Sequence, residues 1–217
     1  MYKKNKSLLN NKKEVFVFDL DDTLVDGRQF CGETIAKVII EKDPKQSFEV
    51  ICNLHTNIRG LTIEDLYIKI SKELGLNLEI SELLKRDFEI QNENIEKMNI
   101  FDGVKEVLDY LSSKRKNLYI CTNRKKTLLL KVLEKNGIQK YFKDVISCAD
   151  EGYKKPNPHC LITLIEKIKV PKEKVIYLGD AEVDAIFANN AGVENIIFDQ
   201  YLNNKTLFRT LLNTFLI

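Results

Sequence analysis

Short apolar segments alternate with amphipathic ones from residue 101 onward, and this alternation restricts the fold more than any other feature of the sequence. The strand candidates are residues 117–122, 144–148, 174–178 and 194–198. The helix candidates are residues 103–114, 125–136 and 182–191, together with a segment that Pro156 and Pro158 open and that runs to about residue 167. Strands that alternate with helices imply right-handed crossovers and a parallel sheet covered on both faces. The sequence therefore predicts an α/β fold.

One further strand candidate, residues 14–20, is separated from this series by a long helical stretch. Its sequence EVFVFDL alternates and then becomes continuously apolar, as a buried strand does. No convincing strand is found between Asp26 and Asn99, where residues 62–76 and 81–98 have the apolar spacing of helices. We therefore predict a core formed by residues 1–25 and 100–217, with residues 26–99 inserted as an all-helical domain.

Polar residues follow several of the predicted strands directly. Ligands of open parallel sheets bind beyond the carboxyl ends of the strands, so these side chains are candidates for a common site. Asp19 and Asp21 are two residues apart and point the same way if the strand geometry persists. The remaining candidates are Thr122, Asn123, Lys155, Asp180 and Asp184.

The carboxylates of this set indicate a metal site. Two carboxylates as close as Asp19 and Asp21 repel each other unless a cation lies between them, and Asp180 would add a third. An oxygen-only cluster with few protein ligands suits Mg²⁺, which takes its other ligands from water and a substrate phosphate. A threonine, an asparagine and a lysine would supply donors for the phosphate oxygens.

Four segments, in this order, resemble the motifs of the haloacid dehalogenase superfamily of aspartate-nucleophile phosphohydrolases. They are DLDDTL at 19–24, Thr122-Asn123, Lys155-Pro156 and GDAEVDAIFANNAG at 179–192. Each fragment alone is typical of an ordinary turn or helix cap. The occurrence of all four in this order is not expected by coincidence. The resemblance covers about residues 14–200 and is closest to phosphoglycolate phosphatases, nucleotide phosphatases and β-phosphoglucomutase. It implies a Rossmann-like core and an inserted helical cap.

The resemblance implies a role for each matched carboxylate. Asp19 would attack phosphorus and become the aspartyl-phosphate, while Asp21 would protonate the leaving oxygen and then deprotonate the attacking water. Mg²⁺ would be bound by Asp19, the backbone carbonyl of Asp21 and Asp180. Asp184 would orient the metal's waters or Lys155.

The same resemblance implies a phosphate-binding set, namely Thr122, Asn123 and Lys155. Lys155 is preferred over Lys154 because the functional lysine of the family directly precedes proline. Asp22 takes the place of a glycine found in many relatives, and we assign it no role.

These motifs predict a Mg²⁺-dependent phosphatase whose substrate is a small phosphate monoester, of the phosphoglycolate, nucleotide or sugar phosphate class. The presence of Asp21 argues against carbon–halogen chemistry. A phosphosugar mutase is the first alternative, although such mutases typically carry Glu-Asp where this chain has Gly179-Asp180. A non-catalytic binding scaffold is the second, but scaffolds of this kind have normally lost the nucleophile, the acid or the lysine.

Three features outside the motifs leave two interpretations each. Arg59 could bind a distal group of the substrate, but a solvated helix end is the plainer interpretation for it and for His55. His159, after Pro158, is expected at the start of a helix rather than in catalysis. The apolar segment 206–217 could pack on the core or form a dimer contact. Both a monomer and a homodimer are therefore consistent with the sequence.

Composition limits the remaining choices. A net charge of +2 over 217 residues gives no support to a nucleic-acid or membrane partner. The basic residues of Met1–Lys13 are better explained as a frayed terminus than as a nucleic-acid arm. Apolar runs of about 18 residues are absent from the sequence, which argues against a membrane span. The five cysteines are widely spaced, which argues against disulfide and zinc frameworks and favours a reducing, cytoplasmic location.

Overall fold

The computed structural model describes residues 13–201 and Phe208. The strands are β1 (Val15–Phe18), β2 (Val25–Asp26), β3 (Asn99–Ile100), β4 (Asn117–Thr122), β5 (Phe142–Ser147), β6 (Val175–Gly179) and β7 (Glu194–Ile197). The α-helices are α1 (Arg28–Lys42), α2 (Phe48–Thr56), α3 (Ile63–Glu73), α4 (Ile80–Glu93), α5 (Val104–Ser113), α6 (Lys126–Lys135), α7 (His159–Ile168) and α8 (Glu182–Asn190).

Five of the strands form one parallel sheet in the order β5-β4-β1-β6-β7. The central strand β1 is buried along its whole length, which explains why its sequence is apolar on both faces. Phe16 and Phe18 enter a hydrophobic cluster on one face, and Val15 and Val17 enter a second cluster on the other. The parallel sheet and the α/β class predicted from the alternating segments are confirmed.

Helices α1–α4 lie between β2 and β3 and form the helical cap. They enclose a third hydrophobic cluster, which includes Ile35, Ile39, Ile51 and Tyr67. The chain enters and leaves the cap through a short antiparallel ladder that pairs Val25 with Ile100 and Asp26 with Asn99. These two-residue strands stand at the borders of the stretch in which the sequence predicted no strand.

Several element boundaries differ from the sequence-based expectation, among them the end of α4 and the start of α7. The helix expected over 81–98 ends at Glu93, where Asn94 turns its side-chain amide back to the carbonyl of Ile90 at 2.9 Å. Asparagine competes for backbone groups in this way and so favours helix ends. The seventh helix begins at His159 rather than at Pro156, so His159 is the helix-start residue that was expected.

The chain ends are only partly described. Phe208 is buried and packs edge-on against Phe198, with ring centroids 5.5 Å apart. The rest of segment 206–217, and residues 1–12 of the basic N-terminus, lie outside the described residues. Within the described part of the chain, no helix has the length and apolar character needed to cross a membrane.

Candidate active site

Lys155 lies in a buried position between two carboxylates at the carboxyl edge of the sheet. Its Nζ donates to Asp19 Oδ1 at 2.5 Å and to Asp184 Oδ1 at 2.8 Å. A third hydrogen bond, of 2.8 Å, runs from the same atom to the hydroxyl of Tyr177, on β6. Burial lowers the pKa of Lys155, but the attraction of Asp184 and Asp19 outweighs burial and the net pKa is raised. The lysine is therefore held in its charged form.

The carboxylates of Asp19, Asp180 and Asp184 form a buried cluster. One oxygen from each lies within 4.8 Å of the others. Burial and the repulsion of Asp19 raise the pKa of Asp180 to about 9. Burial also raises the pKa of Asp19 to about 7, although Lys155 opposes it. Lys155 contacts two of these carboxylates and Arg59 contacts the third, and three buried carboxylates so close together fit a divalent cation such as Mg²⁺.

The backbone at Gly179 allows Asp184 to enter this cluster. A Cβ atom built on Gly179 would lie only 2.5 Å from the Cβ and Cγ atoms of Asp184. The Asp184 carboxylate also accepts the backbone N–H groups of Asp180 and Ala181, at 3.3 and 3.2 Å, at the start of α8. One side chain thereby orients both the lysine and the loop that carries Asp180.

The Asp21 side chain is not part of the three-carboxylate cluster and pairs with Arg124. Both of its oxygens lie 2.9 Å from Arg124 Nε. Sequence reasoning missed Arg124, although the cation directly follows the Thr122-Asn123 motif. Thr122 is buried at the end of β4, and its hydroxyl accepts the Arg124 backbone N–H at 3.3 Å.

Arg124 also connects this site to the interior of the cap. Its Nη1 donates to Gln91 Oε1 of α4 at 2.8 Å, and Gln91 in turn donates to Asp87. The Tyr67 hydroxyl donates to the other Asp87 oxygen at 2.9 Å. A chain of buried side chains therefore runs from the cap interior to Asp21.

Asn123 joins the sheet to the cap loop before α3. Its side-chain oxygen accepts the Lys155 N–H at 2.9 Å, and its side-chain nitrogen donates to the Gly60 carbonyl at 3.1 Å. Gly60 has a φ of +71°, and a Cβ there would lie 2.1 Å from a methyl carbon of Val183. Only glycine suits this left-handed, crowded position. The observed contacts of Asn123 position Lys155 and this loop.

Arg59 lies at the interface between the cap and the three-carboxylate cluster. Its guanidinium donates to Asp180 at 3.0 Å and to Asp199 at 2.6 Å. The interpretation of Arg59 as a solvated helix end is wrong, because its contacts reach across to the sheet. It is also wrong for His55, which is buried, and burial lowers the pKa of His55 to about 4.

Asp22 was assigned no role from the motifs, and Lys155 was preferred over Lys154. Both Asp22 and Lys154 have defined contacts. Asp22 accepts Arg28 Nε at 2.9 Å, and the Arg28 guanidinium lies 3.8 Å from the ring centroid of Tyr201. Lys154 pairs with Glu64 of α3 at 2.7 Å, and both side chains are largely exposed. Of the two neighbouring lysines, Lys155 is the one that faces the carboxylates.

A cavity of about 670 Å³ lies between the strand ends and the cap. All the residues proposed from the sequence line it, namely Asp19, Asp21, Arg59, Thr122, Asn123, Lys155, Asp180 and Asp184. The fold brings them together from four strand ends and one cap loop, and the volume suits a small organic ligand.

Comparisons with known proteins bear on the family of this chain. The family model described as haloacid dehalogenase-like hydrolase matches residues 16–198. A phosphorylated carbohydrates phosphatase of Thermotoga maritima is 31% identical over 84% of this chain and 83% of its own length. A phosphoglycolate phosphatase of Vibrio parahaemolyticus is 26% identical over 82% of this chain and 80% of its own length.

Solved structures show the same fold. A predicted phosphoglycolate phosphatase from Haemophilus somnus superposes with a TM-score of 0.75 at 20% identity, covering 86% of this chain and 85% of its own. A putative β-phosphoglucomutase from Thermotoga maritima has a TM-score of 0.65 at 25% identity, covering 83% and 82%. The family resemblance predicted from the four motifs is confirmed, and the chain belongs to the haloacid dehalogenase-like hydrolase family.

Proposed function

We propose that this hydrolase is a Mg²⁺-dependent phosphatase that cleaves a small phosphate monoester through an aspartyl-phosphate on Asp19. The observation that carries the proposal is the buried Asp19–Lys155 pair, which lies beside Asp180 and Asp184 at the floor of the cavity. A nucleophilic carboxylate, a fixed cation and further carboxylates for a metal are the components that phosphoryl transfer to an aspartate requires.

In the first step an Asp19 oxygen attacks phosphorus and the bond to the leaving oxygen breaks. Lys155 offsets negative charge on the carboxylate and the phosphoryl oxygens, and the buried position strengthens this interaction. Thr122 lines the same end of the cavity and can donate its hydroxyl proton to a phosphoryl oxygen. Mg²⁺, held by Asp19, Asp180 and the Asp21 carbonyl, would add positive charge where the phosphoryl charge develops.

Asp21 is the proposed acid and base. It protonates the leaving oxygen in the first step and takes a proton from water in the second, which releases inorganic phosphate and restores Asp19. Arg124 donates to both oxygens of Asp21 and so fixes the orientation of the Asp21 carboxylate. We assign Arg124 the role of a positioning residue for this acid and base.

The proposed substrate class rests on the fold and on the relatives. The relatives are named as phosphatases of phosphoglycolate and of phosphorylated carbohydrates, and the core of this chain carries the residues that we propose bind phosphate. The cap, proposed as a separate unit over residues 26–99, covers the side where the leaving group would lie. A cytoplasmic location and a monomeric or homodimeric state remain sequence-based predictions.

The direct test is phosphate release from a panel of esters with Mg²⁺ and with a chelator. The panel contains p-nitrophenyl phosphate, phosphoglycolate, nucleoside monophosphates and sugar phosphates. We expect release that stops on chelation and returns when Mg²⁺ is added. Absence of release from every ester would refute the proposal, and interconversion of glucose 1- and 6-phosphates with a bisphosphate primer would favour the mutase alternative.

A further inference from the structure

One face of α4 forms part of the cap wall of the cavity. Ser81, Leu84, Lys85 and Phe88 line the cavity at spacings of three, four and seven residues, so they share one side of the helix. Phe88 is 38% exposed, and it is the largest apolar side chain that this helix presents to the cavity. The helix thus presents apolar area to the space where a leaving group would lie.

Other segments extend this apolar wall. The loop before α3 contributes Ile58 and Leu61, and Leu61 is 37% exposed. Leu66 on α3 and Leu128 on α6 line the cavity from the cap side and the sheet side. Leu66 and Leu128 are already buried, whereas the exposed surface of Leu61 would be removed from water by an apolar ligand.

Most charged side chains around the cavity already bind each other. Four pairs account for them, namely Asp21–Arg124, Asp22–Arg28, Asp180–Arg59 and Asp19–Lys155. Gln91 and Asn123 are likewise engaged, with Arg124 and with the backbone. These contacts use much of the hydrogen-bonding capacity that a leaving group rich in hydroxyls would need, and among the described residues Arg28 Nη2 and Arg59 Nε are the buried cavity nitrogens that have no hydrogen-bond partner.

Two lysines at the cavity, Lys85 and Lys125, are exposed. A carboxylate bound to them would remain in contact with water and salt, which weakens such pairs. The strongest unassigned feature of the leaving-group side is therefore its apolar area.

We propose that the cavity selects phosphate monoesters of apolar alcohols. The inference rests on the proposed phosphatase function and narrows its substrate class. The phosphoryl group lies against Asp19 and Lys155, and the alkyl or aryl part lies against Leu61, Leu84 and Phe88. The ester and water give inorganic phosphate and the free alcohol, whose oxygen takes its proton from Asp21.

A homologous series of alkyl phosphates tests the inference. Ethyl, n-butyl and n-hexyl phosphate release alcohols of similar acidity, so their chemical steps are matched and apolar contact is the main variable. A fully buried methylene group contributes about fourfold in affinity, and partial burial contributes less. We expect kcat/KM to rise at least about tenfold from ethyl to n-hexyl phosphate.

Substitutions on α4 locate the effect. In Phe88→Ala the ratio of kcat/KM for n-hexyl over ethyl phosphate should fall several-fold. Phe48→Ala is the matched control, because Phe48 is a cap phenylalanine that is 47% exposed and does not line this cavity. Leu61→Ala provides a second variant in a loop, in case removal of Phe88 disturbs the helix.

The outcomes distinguish the proposed substrate class from the proposed phosphatase function. A flat chain-length series, or a higher kcat/KM for phosphoglycolate or glucose 6-phosphate than for n-hexyl phosphate, would overturn the inference and leave the phosphatase function standing. A ratio that falls equally in Phe48→Ala and Phe88→Ala would also overturn it. Failure to release phosphate from any ester, p-nitrophenyl phosphate included, would remove both.

Discussion

The two walls of the cavity differ in the side chains that they present. The sheet wall contains buried ions in direct contact, such as Lys155 between Asp19 and Asp184. The cap wall combines apolar side chains with a small number of buried titratable groups, such as Asp87 and His55. Burial raises the pKa of Asp87 to about 6 and lowers that of His55 to about 4. The difference indicates that the sheet provides charge for the phosphoryl group, while the cap provides a surface for the remainder of the substrate.

The buried charged groups of the sheet wall cost free energy because they lose their hydration, whereas the apolar side chains of the cap wall have no such cost. A buried ion is tolerated only where partners compensate its lost hydration. The sheet provides such partners because several strand ends converge at one edge. The cap is linked to that network by Gln91 with Arg124, by Arg59 with Asp180 and by Arg28 with Asp22. The predictions below test how far the two walls differ, from the largest expected effect to the smallest.

The largest effect is expected at the proposed nucleophile. Asp19→Asn removes the attacking oxygen anion, and we expect phosphate release to fall by about 10³-fold or more. Steady-state release from p-nitrophenyl phosphate measures it. Asp109→Asn, at an exposed aspartate bonded to Tyr141, is the control and should retain activity. Wild-type-like turnover by Asp19→Asn would remove Asp19 from the nucleophile role.

Neighbouring lysines allow a matched test of burial on the sheet wall. Lys155→Met leaves two buried carboxylates without their cation, so we expect the free energy of unfolding to fall by about 3–5 kcal/mol. Lys154→Met breaks the largely exposed pair with Glu64 and should cost about 1 kcal/mol or less. Urea denaturation of both variants measures the difference. Equal losses would show that burial does not distinguish these ion pairs.

His55 tests the neutral character of the cap. Its folded pKa of about 4 lies below the ordinary value of 6.5, so the unfolded chain binds a proton that the folded chain rejects. The resulting stabilisation is fully present above pH 6.5 and is lost as the pH falls from 6.5 through about 4. It amounts to roughly 3 kcal/mol.

Because buried carboxylates titrate in the same pH range, the measurement compares the wild type with His55→Gln by urea denaturation. The variant should lose less stability than the wild type on acidification. His159→Gln, at the exposed histidine, is the control and should keep the wild-type acid loss. Identical pH dependence of the wild type and His55→Gln would contradict the burial of a neutral imidazole.

The smallest expected effect concerns one of the links between the walls. In a double-mutant cycle of Arg124→Met and Gln91→Met, the unfolding free energies should show a coupling of about 1 kcal/mol. The physical reason is that each single substitution leaves the partner's buried polar group unsatisfied. Strictly additive effects would mean that cap and sheet do not share this hydrogen bond in solution.

Local periodicity was sufficient to predict most of the sheet and its helices, because each strand and each amphipathic helix carries its own pattern. The individual helices of the cap were harder to predict from the sequence. Helix α1 was expected only as part of a helical stretch, since its apolar residues surround it rather than lie on one side. Phe30 packs in the core cluster, whereas Ile35 and Val38 pack in the cap cluster. A helix that contacts two clusters lacks the one-sided pattern that identifies a surface helix.

By itself the sequence determined the sheet, the family and the carboxylates at the strand ends, because these depend on short-range patterns and on parallel strands that end at one edge. Only the tertiary structure decided which side chains of the site contact each other. Arg124 reaches Asp21, Arg59 reaches Asp180, and Phe88 faces the cavity, each across a long separation in sequence. Such contacts depend on how the cap packs over the sheet, and no local pattern encodes that placement.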